Sequence, residues 1–126
     1  MHTRGKGLIG ESIACTFFVR RGFLVICRNY QKKWGEIDII AKKDGVIHFF
    51  EVKSMSVTKM TSDGEGHRPE DNVHGLKRKK ISRMIETYLS DHGLDMSAAF
   101  GFHVLCVFMD MNRRTARVKW IKDVIL

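Results

Sequence analysis

The 126-residue sequence has no run of about 20 apolar residues, which excludes a membrane-spanning helix of ordinary length. Its first residues, MHTRGKGLIGES, lack the apolar stretch of a secretory signal, so a cytoplasmic location is expected and no membrane association. Cysteine is scarce: Cys15, Cys27 and Cys106 are odd in number and lack CxxC spacing. They read as reduced, mostly buried thiols, which excludes a disulfide framework or a cysteine zinc site. There is no internal repeat, no glycine-rich phosphate loop and no serine in a triad context. Acidic residues are also few, 14 Asp and Glu against 22 Lys and Arg. The resulting net charge of +8 favours a polyanionic partner, nucleic acid before an anionic membrane.

What is present fits one domain over residues 1–126, large enough for a real core and too small for two. The informative stretch is Gly35 to Ser54, GEIDIIAKKDGVIHFFEVKS. Asp44-Gly45 between runs of Val, Ile and Phe is a hairpin signal. Alternation places Glu36, Asp38 and Ile40 on one face of the first strand, and Ile47, Phe49, Glu51 and Lys53 on one face of the second. Two carboxylates and an amine then converge near one end of the hairpin. Magnesium prefers oxygen ligands, often one or two carboxylates plus water and phosphate, so Asp38 and Glu51 are candidate ligands. Lys53 beside them could stabilise charge on a phosphoryl group or orient a water. The competing reading is a surface cross-strand ion pair worth little.

Residues 7–21 read as an amphipathic helix with Ile13, Ala14, Phe17 and Phe18 on its apolar arc. Glu11 falls inside that arc. A carboxylate there either belongs to a polar site or sits solvated in the first turn, where the helix dipole favours it. Gly22 ends the helix, Phe23 to Arg28 forms a first strand, and Arg28-Asn29-Tyr30 opens a polar connection reaching Trp34. Arg28 and Tyr30 could touch phosphate or sugar and Trp34 could stack on a base, or the two rings could cover the core edge. Glu36 is either a support for the carboxylates or an ion-pair partner of Lys32 or Lys33. Residues 56–72 carry two of the 11 glycines and the only proline and read as a mobile loop. His67 within it has no assigned role.

A second helix is expected over about Val73 to Ser90, with Ile81, Met84, Ile85, Tyr88 and Leu89 as its buried stripe. One turn back along that stripe lie Lys77 and Arg78. Lys77 is a candidate for phosphate contact or site support, and Arg78 and Lys80 add to the attraction for a nucleic-acid backbone. Phe102 to Asp110 and Thr115 to Ile121 complete the strands. The order of elements indicates an α/β domain with a mixed central sheet of about five strands flanked by helices.

Gly10-Glu11, Gly22-Phe23, Arg28-Asn29-Tyr30, Gly35-Glu36-Ile37-Asp38, Glu51-Val52-Lys53, Lys77 and Tyr88-Leu89 follow in an order and spacing that resemble the YraN-like family of endonuclease-related bacterial proteins. That family lies within the PD-(D/E)xK superfamily and is similar to archaeal-type Holliday junction resolvases. The resemblance covers most of the chain. It implies a restriction-endonuclease-like core and metal-dependent cleavage of phosphodiester bonds in DNA, including branched DNA. It also implies Mg²⁺ or Mn²⁺ held by Asp38, Glu51 and the Val52 carbonyl, with Lys53 and Glu11 completing the catalytic set. A homodimer would suit two symmetrically placed cuts. One position departs from the pattern: His103 stands where the family commonly has an acidic residue. Two other functions compete, a nuclease fold that binds nucleic acid without turnover and a protein-interaction module.

Overall fold

The computed structural model describes the backbone of residues 3–57 and 76–126, and side chains from residue 8 onward within those limits. Five strands, β1 (Leu24–Lys32), β2 (Gly35–Lys43), β3 (Val46–Ser56), β4 (Phe100–Asp110) and β5 (Thr115–Ile121), form one sheet in the order 1-2-3-4-5. All neighbours are antiparallel except β3 and β4. A parallel pair needs a crossover, and this one carries helix α2 (Arg78–Asp91). Helix α1 (Thr3–Val19) precedes β1. This is the mixed five-stranded α/β sheet expected from the order of elements, consistent with a restriction-endonuclease-like core.

Each helix closes one face of the sheet. Ala14 and Phe18 of α1 are buried with Phe23, Ile39, Ala41, Phe50, Leu105 and Val107. On the other face Ile81, Met84, Ile85, Tyr88 and Leu89 of α2 are buried with Ile37, Ile40, Phe49, Val104 and Cys106. The α2 stripe is the one its periodicity predicts. Helix α1 ends at Gly22 (φ +88°), where the Phe23 N–H reaches the Phe18 carbonyl (3.0 Å) and the Gly22 N–H the Val19 carbonyl (3.1 Å). Both bonds are those of a glycine-capped helix end. The β2–β3 turn has positive φ at both central residues, Asp44 (52°) and Gly45 (78°), which matches the right-handed twist of the strands.

Several boundaries differ from expectation. Arg28-Asn29-Tyr30 lies inside β1, not in a polar connection, because β1 pairs with β2 as far as Lys32↔Gly35. Helix α2 begins at Arg78, with Leu76 and Lys77 outside it, while residues 73–75 fall outside the described part. The expected mobile loop is described only at Ser56, which ends β3, and Val57, whose N–H bonds to the Met109 carbonyl; residues 58–72 lie outside the described part.

Strict alternation breaks in both β1 and β2. Ile37 and Ile40 pack in the same cluster, as do Cys27 and Tyr30, three residues apart in each strand. The cause is Asn29 (φ 54°), which sits between the pairs Arg28↔Ile39 and Tyr30↔Ile37 and therefore beside Asp38. A left-handed residue, tolerated by Asn, re-aims the side chains that follow it.

Helix α1 approaches β3 closely at Gly10. A methyl group there would overlap the Ser54 side chain, Oγ and Cβ both. Helix propensity alone would favour Ala over Gly by about 1 kcal/mol. The overlap is larger: Gly10→Ala is expected to destabilise by about 1–3 kcal/mol, the usual cost of overpacking. Urea unfolding of Gly10→Ala, Ser54→Gly and the double variant tests this. Recovery in the double variant supports the contact; additive losses would show that the two residues do not meet.

His103 is buried in an aromatic box. Its ring stacks on Phe50 and His48 and meets Trp120 edge-on. Its Nδ1 accepts the Asp123 N–H (3.1 Å), so in the neutral ring Nε2 carries the proton and donates to His48 Nδ1 (2.8 Å). Burial, then the neighbouring His48, lowers the His103 pKa to about 4, and burial lowers His48 as well. Between the unfolded value near 6.5 and the folded one, the unfolded chain binds the extra proton. Stability is therefore fully present above pH 6.5 and lost as pH falls toward 4, by on the order of 3 kcal/mol for His103. Denaturant unfolding at pH 4.5 and 7 and imidazole NMR titration check this, and a His103 that titrates at its ordinary pKa would refute it.

Candidate active site

The site forms where β2 and β3 part. Their pairing ends at Ile39↔Phe50, so Val52 does not donate to a β2 carbonyl. Its N–H instead donates to Asp38 Oδ2 (2.8 Å), which fixes the Asp38 carboxylate against the β3 backbone. Glu51, one residue earlier, reaches Asp38 with its carboxyl group, and Lys53 Nζ lies 3.8 Å from Glu51 Oε1. Asp38, Glu51 and Lys53 thus lie together, with Asn29 of β1 beside Asp38.

The electrostatics are unusual for an exposed hairpin. Asp38 is 7% exposed and the Glu51 side chain 20%. Burial, followed by the charge of Asp38 and the hydrogen bond to it, pushes Glu51 up to about 8. Burial also raises Asp38, opposed chiefly by the Val52 N–H. At neutral pH the pair therefore retains one proton. A surface ion pair would not show this.

Glu11 approaches from the α1 side. Its pKa is raised by burial and then by Asp38, so it belongs to the same electrostatic group. Asn29 opposes the rise through a side-chain hydrogen bond. Oε1 of Glu11 is buried without a hydrogen-bond partner, and the Arg28 guanidinium stands 3.8 Å away, at ion-pair distance. The solvated first-turn reading of Glu11 does not describe this placement. Asn29 was missed as a site residue, although an Asn before Tyr in a β-rich segment is a recognisable candidate for positive φ.

A cleft of about 220 Å³ opens on the carboxylates, lined by Gly35, Glu36, Glu51, Lys53, Lys77 and Lys80 together with Met84 and Ile81 of α2. Two of the basic residues singled out in the sequence, Lys77 and Lys80, are therefore at the site. The other candidates, the basic Arg28 and Arg78 and the neutral Tyr30, do not line this cleft. Arg28 pairs with Glu11 and lies 3.5 Å from Ser12 Oγ; Tyr30 donates to Asp91 Oδ2 (2.8 Å) and packs edge-on against Tyr88; Arg78 donates to the Ile125 carbonyl (3.1 Å). Glu36 accepts from Gln31 (3.1 Å), whereas Lys32 pairs with Asp91 (3.2 Å). A larger cleft, about 720 Å³ between α1 and Val118 of β5, is lined mainly by apolar side chains and has no carboxylate in its lining.

Among the described residues no three His, Cys, Asp or Glu side chains gather as a ready metal cage. The donor set is narrower: two adjoining carboxylates, one of them held in place by a backbone N–H, beside a cleft open to solvent. That suits a hard divalent cation of the magnesium type, which keeps several waters and takes further oxygens from a phosphate. A cation would also offset the burial, and after it the mutual charge, that now raise the pair. The Val52 residue shares the site through its N–H, and its side chain packs on the α1 face.

The profile of a family described as "Uncharacterised protein family UPF0102" matches residues 10–118, a span that includes Glu11, Asp38, Glu51, Lys53, Lys77 and Lys80. The chain is similar to a UPF0102 protein of Helicobacter hepaticus, 42% identical over 92 residues, 73% of this chain and 76% of that protein. A UPF0102 protein of Campylobacter lari is 38% identical over 104 residues, 82% and 84% of the two chains. One from Caldicellulosiruptor bescii is 29% identical over 123 residues, 98% of each. No helix among the described residues is long and apolar enough to cross a membrane.

Proposed function

We propose that this chain, which belongs to the UPF0102 family and so to the YraN-like proteins its sequence resembles, is a metal-dependent endonuclease of the PD-(D/E)xK superfamily acting on DNA, including branched DNA. The observation that carries this reading is a cleft lined by Glu51, Lys53, Lys77 and Lys80, with Asp38 joined to Glu51 behind it and held by the Val52 N–H. Mg²⁺ or Mn²⁺, held by Asp38 and Glu51 with the Val52 carbonyl, supplies a Lewis acid for phosphoryl transfer. The chain's own residues do the rest. The Val52 N–H holds Asp38 in its donor orientation. Lys53 offers an ammonium where negative charge develops on the phosphoryl oxygens. Lys77 and Lys80 hold the backbone through its phosphates, a contact that reads no base sequence. Glu11 adds a third negative charge behind Asp38.

The test is cleavage of labelled single-stranded, duplex, flap and four-way-junction DNA with Mg²⁺, Mn²⁺ or EDTA, comparing the parent with Asp38→Ala and Lys53→Ala. Metal-dependent cuts lost in both folded variants are expected. A second reading, binding without turnover, is favoured by one observation: the described residues offer two clustered carboxylates and not three metal-ligating side chains. Salt-sensitive binding of these DNAs with no cut in any of them would establish that reading instead.

A further inference from the structure

A second cleft, of about 470 Å³, adjoins the first and shares Gly35, Glu36 and Lys80 with it. Its remaining lining comes from the end of β1 and the β1–β2 turn (Gln31, Lys32, Lys33, Trp34) and from Arg83 of α2. The Trp34 ring is half-buried and packed on the α2-side core, with Nε1 turned inward and out of solvent. The indole is therefore fixed in place. The Arg83 guanidinium lies over the ring at 4.7 Å from its centroid, while Arg83 itself is exposed. The result is a cationic surface backed by an aromatic ring.

Charge distinguishes this cleft from an ordinary surface. Lys32 is compensated by Asp91, and Glu36, the one carboxylate of the lining, accepts from the neutral Gln31 and keeps its charge. Lys33, Lys80 and Arg83 have no carboxylate within ion-pair distance among the described residues. Three such cations against one carboxylate leave the rim positive, and that excess attracts phosphate. A guanidinium plane backed by an aromatic ring accepts the face of a nucleobase. Only an unpaired base has a free face to offer, since in a duplex both faces are stacked.

We infer that the Trp34–Arg83 cleft is a subsite for an unpaired nucleotide of the nucleic-acid strand that passes the carboxylates, its base on Arg83 and its phosphate between Lys33 and Lys80. The inference rests on the nuclease reading for the course of that strand. It adds a preference the catalytic cleft does not itself supply: strands with unpaired nucleotides beside the cut are bound better than continuous duplex.

The experiment uses the full chain in EDTA. The sequence has two tryptophans, Trp34 and Trp120, so Trp120→Phe leaves Trp34 as the only indole. Trp34 emission is followed while an oligothymidylate or a blunt duplex of equal length is added. In parallel, binding of both DNAs to the native chain, Arg83→Ala and Lys33→Ala is measured by anisotropy. Expected are a change of Trp34 emission with the single strand and a loss of about tenfold in its affinity in Arg83→Ala, the scale of one lost base stack. Duplex binding should change less than the single strand. The anisotropy arm decides the matter even if Trp120→Phe fails to fold. If cleavage requires Asp38 and metal while Arg83→Ala binds single strands like the parent, the subsite is wrong and the nuclease reading stands. If Arg83→Ala weakens single-strand binding but no DNA is cut, the subsite stands and the nuclease reading falls. If neither DNA binds, both fall.

Discussion

Glu51→Gln is expected to make the chain more stable in EDTA above pH 7 and, at the same time, to abolish cleavage. The two effects share one cause. Burial and Asp38 raise the Glu51 carboxyl from 4.5 to about 8 in the folded chain, so folding holds a proton that the unfolded chain has released. A group shifted upward in this way lowers stability as pH rises from 4.5 through 8, and the penalty is complete above 8. Its size is on the order of a few kcal/mol, shared with Asp38 because the two titrate together. Gln is isosteric and uncharged, so the penalty disappears and the stability profile between pH 5 and 8.5 flattens. Cleavage should fall by about a thousandfold or more, the scale of losing one preorganised charge at a reacting centre. Adding Mg²⁺ should stabilise the parent against urea, most strongly at alkaline pH, and should leave Glu51→Gln nearly unchanged. Urea unfolding at pH 5, 7 and 8.5, with and without the cation, measures all of this. A Glu51→Gln chain that is less stable than the parent at every pH would mean that the carboxylates are a structural pair and not a strained site.

Such a site is legible in sequence wherever local rules govern it. The Asp-Gly turn, the α2 stripe and the Glu51-Val52-Lys53 strand follow from turn chemistry and periodicity, and the structure places them as expected. The face carrying Asp38 was less accessible. Period-2 alternation fails between Ile37 and Ile40, opposite the left-handed Asn29 of the neighbouring strand. The Val52 N–H then captures Asp38 where the ladder ends, a long-range event that no window of sequence encodes. Glu11 was visible as an anomaly, a carboxylate inside an apolar arc. Its partner Asn29 was not, because their encounter depends on how closely Gly10 lets α1 approach Ser54. The basic residues divide for a similar reason. The four basic ones singled out are plausible phosphate contacts by charge, and Tyr30 by its hydroxyl, yet Arg28, Tyr30 and Arg78 are engaged by Glu11, Asp91 and the Ile125 carbonyl, and only the fold says so.

Lys53 is where a catalytic contribution and simple attraction can be separated. Its ammonium is part-exposed and 3.8 Å from Glu51 Oε1, so it contributes little to stability, and Lys53→Ala should unfold within about 0.5 kcal/mol of the parent. DNA affinity should fall only slightly, because Lys77 and Lys80 remain on the cleft, and the salt slope should drop by no more than about one. The single-turnover cleavage rate should nevertheless fall by about 10²–10³-fold, the effect of removing one group aimed at developing charge. Losing the ammonium also removes an attraction that lowers the Glu51 pKa, so the residual rate should peak at higher pH than in the parent. Lys53→Arg keeps the charge but replaces a compact ammonium with a broad planar fork, and should recover only part of the rate. A lower rate explained wholly by weaker binding, with an unshifted pH profile, would reduce Lys53 to one more phosphate contact. A lower rate at full saturation, moved to alkaline pH and only partly restored by Arg, ties the chemistry to an amine placed beside a carboxylate pair that burial has made reluctant to ionise.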